Sequence, residues 1–270
     1  MRQLSKLFLA GIAFANAVAA SPLAAQDAAA AEEAAVSPID PVAAEIVHNA
    51  TRYLAALPAF SFTYFITSDE IADGREKLTN ISSGAIEMER GKGFFAKTER
   101  GNTYRDYYYD GAQFTVSSPD EQFYSTVPFS GSYDDLVARV RENTGLILPV
   151  WTMLSSDLPE RLTEEVVAAA YLGTTLLAGQ EVYHIAFTSR DEDWQIWIST
   201  DEDEPLPLML VGTRTDLQGW PSFRANFLDW NTAPEVDSSG FTFTPNEGDE
   251  SITMPWLLDL PADETEGETR

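Results

Sequence analysis

EVYHIAF (Glu181–Phe187), DWQIWI (Asp193–Ile198), PLPLMLVGT (Pro205–Thr213), FRANFLDWN (Phe223–Asn231) and FTFTP (Phe241–Pro245) follow one another along the second half of the chain. Short apolar and aromatic runs spaced by about ten residues, with charged or Gly/Pro turns between them, predict consecutive antiparallel strands. Val166–Ala170 is expected to form a last turn before this meander. The first half repeats the pattern. Phe60, Phe62, Tyr64 and Ile66 alternate with polar residues, a period of two that gives one apolar face. Lys77–Met88, Phe94–Arg100, Thr103–Tyr109, Gln113–Ser117 and Gln122–Val127 read as further strands, with turn signals at Asp73-Gly74 and Asp110-Gly111. The total is about eleven strands, and a sheet of that size tends to curl.

Two helices interrupt the strands. Asp40 before Pro41 is an N-cap and first-turn signal. Val42, Ile46, Ala50, Tyr53, Leu54 and Leu57 then keep helical spacing until Pro58. A second start lies at Ser132, with Asp135 three residues on as a variant capping box. Tyr133, Leu136, Val137 and Val140 make its stripe, and Gly145 is a C-cap candidate. LILPVWTML (Leu146–Leu154) follows as a short helix or lid segment that Pro149 keeps from being one continuous helix. The reading is mainly β with a helical lid (α+β): one curved antiparallel sheet with helices on one face.

Arg2 and Lys6 before the apolar Leu7–Ala20 predict a signal peptide, cleaved after Ala19 or Ala25. Residues 1–25 are thus assigned to export and 26–39 to a disordered leader. Residues 40–255 form a single domain with the lid at 131–158, and 256–270 an acidic tail. The ITMPWLLDL stretch (Ile252–Leu260) reads as an edge strand or a docking segment. The chain has no cysteine, which excludes disulfides, thiolate chemistry and an acylated N-terminal cysteine. A net charge of −26 over 270 residues excludes electrostatic attraction to nucleic acid or to an anionic membrane surface.

Catalytic signals are weak. His48 and His184 stand alone, without a positioned nucleophile, and no metal-binding or phosphate-binding motif is present. Asp191 and Asp193 beside Trp194, or Asp229 beside Trp230, could serve a hydrolase only if space brings two carboxylates together. Trp151, Met153 and Leu154 are too apolar to face water and lie outside the strands. They lead the candidates for a cavity lining, followed by Leu136 and Val140, with Phe62, Tyr64, Trp194 and Ile196 facing them from the sheet.

YYYDGAQFTVSSPDEQFYSTVP (Tyr107–Pro128), DWQIWI, the PLP at Pro205–Pro207, FLDWN (Phe227–Asn231) and FTFTP, in that order, resemble the LolA/LolB-like superfamily of periplasmic lipoprotein carriers. The resemblance is nearest to an uncharacterised predicted periplasmic family within it, and it covers Pro41 to Gly248. It implies a half-open β-barrel whose helical lid covers an apolar cavity for acyl chains. In those carriers an arginine beside the cavity is held to gate the lid; here Arg139 and Arg141 fall in the expected lid helix. The expected protein is an exported, periplasmic, monomeric binder of an apolar ligand, a lipid or a lipidated protein, with no catalysis, metal or cofactor. Two other classes stay open: an envelope protein-interaction or stress-sensing module with a protein partner, and a carboxylate-dependent hydrolase.

Overall fold

Asp40 caps the first helix as its place before Pro41 predicts. Its Oδ1 accepts from the Val42 N–H at 2.9 Å, and α1 runs Pro41–Ala56. The computed structural model describes residues 38–74, 76–144, 150, 154, 155 and 166–253. The expected signal peptide, residues 26–37 of the expected leader and the acidic tail lie outside these residues, as do Gly145, Trp151, Met153 and most of ITMPWLLDL. Pro38 and Ile39, assigned to a disordered leader, instead pair with β7 at Ala169.

Six strands follow α1 as an antiparallel meander: β1 (Ala59–Ala72), β2 (Glu76–Glu89), β3 (Gly93–Arg100), β4 (Thr103–Tyr109), β5 (Gln113–Ser118) and β6 (Phe123–Pro128). After α2 (Tyr133–Thr144) a second meander runs through β7 (Val166–Leu177), β8 (Gln180–Ser189), β9 (Glu192–Ser199), β10 (Pro207–Arg214) and β11 (Ser222–Asn231). A two-residue β12 (Glu250–Ser251) completes a single sheet in the order 12-6-5-4-3-2-1-11-10-9-8-7. β1 lies at the centre, paired with β2 along its whole length and with β11 on its other side. Among the described strand pairs, β12 on β6 alone is parallel, and a lone parallel bridge joins Ile39 to Ala169.

Register fixes which side chains share a face. Phe60, Phe62 and Tyr64 stand opposite Met88, Ile86 and Gly84, and the row continues through Phe94, Ala96, Tyr107 and Tyr109. On the other side it runs from Phe227 and Ala225 through Leu210 to Ile196 and Ile185. This inner face, with α1, α2, Val150 and Leu154 against it, forms one hydrophobic core.

The Ser132 capping box forms as expected: the Ser132 N–H donates to Asp135 Oδ2 at 2.8 Å, and the Asp135 N–H donates to Ser132 Oγ at 3.1 Å. The stripe of α1 is rotated from the expected one. Ala43, Val47, Ala50, Thr51 and Leu54 are buried, whereas Val42 is exposed and Ile46 and Tyr53 sit at the flank. Val47 and Leu54 each contribute about 1.5–3 kcal/mol by leaving water.

Two strand expectations are corrected. Val166–Ala170 is not a turn but the start of β7, because these residues pair with β8 on one side while Ala169 also bridges Ile39 on the other. Phe241–Pro245 is not a strand. A 3-10 turn, Ser238–Phe241, precedes an extended strap across the outer face. Phe243 sets its ring 5.2 Å from that of Tyr108 and 4.9 Å from that of Tyr124, and Phe241 is fully buried. Its alternation serves docking onto a face, not a ladder.

Tyr64 crosses the inner face over Gly84. Its hydroxyl lies 2.7 Å from Thr98 Oγ1 and donates to Lys97 O at 3.2 Å. A methyl at position 84 would collide with the Lys97 carbonyl and with the Tyr64 hydroxyl. Gly84→Ala is therefore expected to destabilise the fold by about 1–3 kcal/mol, read as a lower midpoint in urea, with Tyr64→Phe recovering part of the loss in the double variant.

Candidate functional site

Arg90, in the turn after β2, makes a polar junction between α1, the lid segment and the sheet. The last carbonyls of a helix have no partner within it and carry its negative dipole end. Arg90 supplies a charged partner there, beside the Leu57 N–H that donates to Leu54 O at 3.3 Å. Nη2 donates to Leu54 O at 3.0 Å and Nε to Leu57 O at 3.1 Å. Nη1 and Nη2 both reach Leu154 O at 3.4 Å, and the guanidinium carbon sits 5.5 Å from the Phe60 ring centroid. Burial lowers the Arg90 pKa, with the charges of Asp134 and Tyr133 acting against it; a guanidinium stays protonated regardless. One cation thus ties α1, the lid segment and the central strand together.

A pocket of about 280 Å³ borders this junction, lined among others by Met88, Arg90, Phe94, Tyr109, Tyr133 and Asp134. Tyr133 packs edge-on against Phe94 at 5.5 Å. The Tyr109 hydroxyl donates to the Gly131 carbonyl and accepts from the Gly131 N–H, so the start of α2 is pinned to β4.

A larger groove of about 750 Å³ lies between α1 and the ends of β8 and β9. Ile46, Tyr53, Tyr183, Ile198 and Pro205 supply its apolar lining, while Glu45, Asp201 and Glu202 outnumber Arg52 among its charged groups. Its volume falls within the roughly 300–1,000 Å³ of small-molecule sites. Ile46 and Tyr53 face it because the helix buries the neighbouring stripe instead.

The nine residues expected to line a cavity fall into two groups. Trp151 and Met153 lie outside the described residues. Leu154, Leu136, Val140, Phe62, Tyr64 and Ile196 are buried in the core beneath the helices, and Trp194 is packed against it. Leu136 and Leu154 are 0% and 1% exposed. None of these residues lines the groove. Arg139 is exposed on α2 and pairs with Glu142 at 3.4 Å; Arg141 contributes no described side chain. Sequence reasoning missed Arg90, since Glu-Arg-Gly-Lys-Gly reads only as a turn, and missed the flank role of Ile46 and Tyr53.

The candidate catalytic groups are placed as follows. His184 stacks on Trp197 at 4.2 Å and lies 3.0 Å from Gln195 Oε1, on the outer face. His48 is exposed on α1. Asp191 and Asp193 are exposed, and Asp229 accepts from Thr63 Oγ1 at 2.7 Å.

One carboxyl is strongly perturbed. Glu192 starts β9 on the face of Trp194, with Phe223 and Glu192 filling the space that a side chain at Gly212 would need. Burial pushes its pKa up to about 7; Arg214 opposes the rise and Asp216 adds to it. Arg214 is engaged by Asp216, at 2.9 and 2.7 Å.

The described residues form one open antiparallel sheet with helices on its inner face and a groove of mixed lining between α1 and the ends of β8 and β9. The chain belongs to the family described as predicted periplasmic protein (DUF2092), which matches residues 43–254. Among curated proteins none matches. Similar solved structures include the lipoprotein LppX of Mycobacterium tuberculosis, at 14% identity and TM-score 0.38, covering 73% of this chain and 100% of that one. A LolA superfamily protein of Nitrosomonas europaea is similar at 11% identity and TM-score 0.34, over 74% and 97%. The MucA/MucB complex of Pseudomonas aeruginosa contains a chain similar at 12% identity and TM-score 0.43, over 75% and 61%.

Two predictions follow from this geometry. Arg90→Met removes a charge-assisted partner from three carbonyls and should cost about 2–4 kcal/mol. Amide exchange should rise most in the last turn of α1, and Arg90→Lys should rescue little, since an ammonium lacks the planar fork. For Glu192, the fold holds a proton that the unfolded chain releases. The stability it contributes is full below the ordinary glutamate range and is lost as pH rises to about 7. Glu192→Gln should therefore raise the melting temperature at about pH 8 and leave it nearly unchanged at about pH 4.

Proposed function

We propose that this protein binds an apolar ligand, a lipid or the acyl chain of a lipidated protein, in the periplasm and without catalysis. The observation that carries the reading is the groove between α1 and β8–β9, where Ile46, Tyr53 and Tyr183 line it and the core residue Ile198 reaches it. Each methylene transferred there from water gains about 0.8 kcal/mol. Arg90 sets how the site opens. While its guanidinium holds Leu54, Leu57 and Leu154 the helices cover Phe62, Tyr64 and Ile196; release of that contact would expose them as the floor of a larger cavity.

The acids at the groove mouth refine the ligand. Glu45, Asp201 and Glu202 disfavour a bare phosphate headgroup and favour a neutral or cationic one. The test is native mass spectrometry of protein purified from an expressing periplasm, followed by organic extraction of any adduct. A stoichiometric lipid adduct is expected, and Ile46→Asp should remove it with the circular dichroism spectrum unchanged. A bare protein mass, with no uptake from added detergent-solubilised lipid, would overturn the reading.

A further inference from the structure

Among the described residues, the outer edge of β7 is the one long open edge of the sheet. The Ala169 N–H donates to Pro38 O, and the Asp40 N–H donates to Ala169 O, each at 2.9 Å. The Tyr171 N–H donates to Asp40 Oδ2 at 3.3 Å. Beyond Tyr171 this cover stops. Leu172 is 55% and Leu176 71% exposed, and Thr174 and Thr175 are exposed beside them.

Register shows which backbone groups face outward. Ala178 and Gly179 both have positive φ, the signature of a two-residue type I′ turn. Leu177 and Gln180 flank that turn and form its hydrogen-bonded pair, so Thr175 and Val182 form the next one. Thr174 and Leu176 therefore point their N–H and C=O groups away from β8. Natural edges are guarded by Lys, Pro, inward charge or a bulge. From Val166 to Gly179 there is no Lys, Pro or charged residue, and the bulge between Tyr171 and Thr174 ends before the outward-facing Thr174 and Leu176.

The acids lie next door instead. Glu181 is the cross-strand partner of Leu176. The Thr200 N–H donates to Glu181 O at 3.4 Å, which sets the acidic loop Asp201–Glu204 against the same hairpin end. We propose that the Thr174–Leu177 edge takes up an extended segment of another protein as an added strand, a segment apolar at its centre and basic at its ends. Backbone pairing supplies the affinity and the flanking acids select the charge.

Other occupants fit less well. Pro38–Asp40 pairs with β7 only at Ala169, and the chain after Asp40 turns into α1, so this segment does not reach Leu176. A second copy would set Glu181 and Asp201–Glu204 against their own images. The proposal needs no lipid in the groove, although Asp201 and Glu202 border both the groove and this edge.

The probe is a lysine-flanked peptide of alternating valine and threonine, with a glutamate-flanked counterpart as control, added to the purified periplasmic protein. The lysine-flanked peptide is expected to slow amide exchange at Thr174 and Leu176 by about tenfold or more, without affecting amides between β8 and β9. Leu176→Pro removes the outward N–H and is compatible with an edge strand; it should weaken binding by about tenfold or more, and Leu176→Ala by only a few-fold. Should the proline variant fail to fold, Leu176→Lys, which repels the same peptide, should weaken binding likewise. Absence of binding, equal binding of the glutamate-flanked peptide, or binding indifferent to all three variants would overturn the proposal. A dimer in sedimentation that Leu176→Pro dissolves would overturn the choice of partner in favour of a second copy.

Discussion

The pairing of β1 with β11 is the constraint on which the rest of this structure depends. Each meander on either side of it is local, hairpin after hairpin. Across the seam, Thr63 meets Leu228 and Tyr64 meets Phe227, residues brought together only after most of the chain is in place. Loop closure of that length is an entropic cost that local hairpins do not meet. What offsets it is side-chain density. Phe62 packs against Trp230 at 4.3 Å and Phe227 at 5.8 Å, and the Trp230 indole N–H donates to Pro207 O at 3.0 Å, extending the seam to β10. The irregularity of the seam belongs to the same site: Asp229 has positive φ and the register shifts between Ser61 and Thr63, which lets Trp230 join the inner row.

A sheet this wide must cover both faces, and it does so unequally. The inner face is closed by helices whose apolar stripes meet the strand row, with Arg90 satisfying the carbonyls that a helix end leaves over. The outer face of the first meander is crossed by the strap carrying Phe241 and Phe243. The outer face of the second meander carries His184 stacked on Trp197. The two halves of one sheet thus differ in what they present to the surroundings.

Much of this was legible in the sequence. Asp40-Pro41, Ser132 with Asp135, and the glycine-containing turns specify local geometry through backbone chemistry that tertiary context seldom overrides. The period-two rows of β1, β8, β9 and β11 followed from the same logic. The failures have physical causes. Val166–Ala170 is alanine-rich and mimics helix, and only its two-sided pairing makes it a strand. Phe-Thr-Phe-Thr-Pro alternates as a strand does, yet its backbone has no neighbouring edge to join where the strap lies. The candidate site was harder still. Apolar residues such as Leu136 and Phe62 look the same whether they line a cavity or fill one, and Ile46 and Tyr53 look like core because a helical stripe has soft borders. Arg90 gave no signal, because its partners are main-chain carbonyls, which any sequence supplies.

The strap makes the outer surface of the first meander depend on residues outside the sheet. Phe95, Tyr108 and Tyr124 set their rings on that face, and Phe243, which follows β11 in the chain, covers two of them. Removal of the strap would leave the ladders from β1 to β11 in place and bare an aromatic patch. Which surface the first meander presents is thus decided by a short segment that takes no part in its hydrogen bonding.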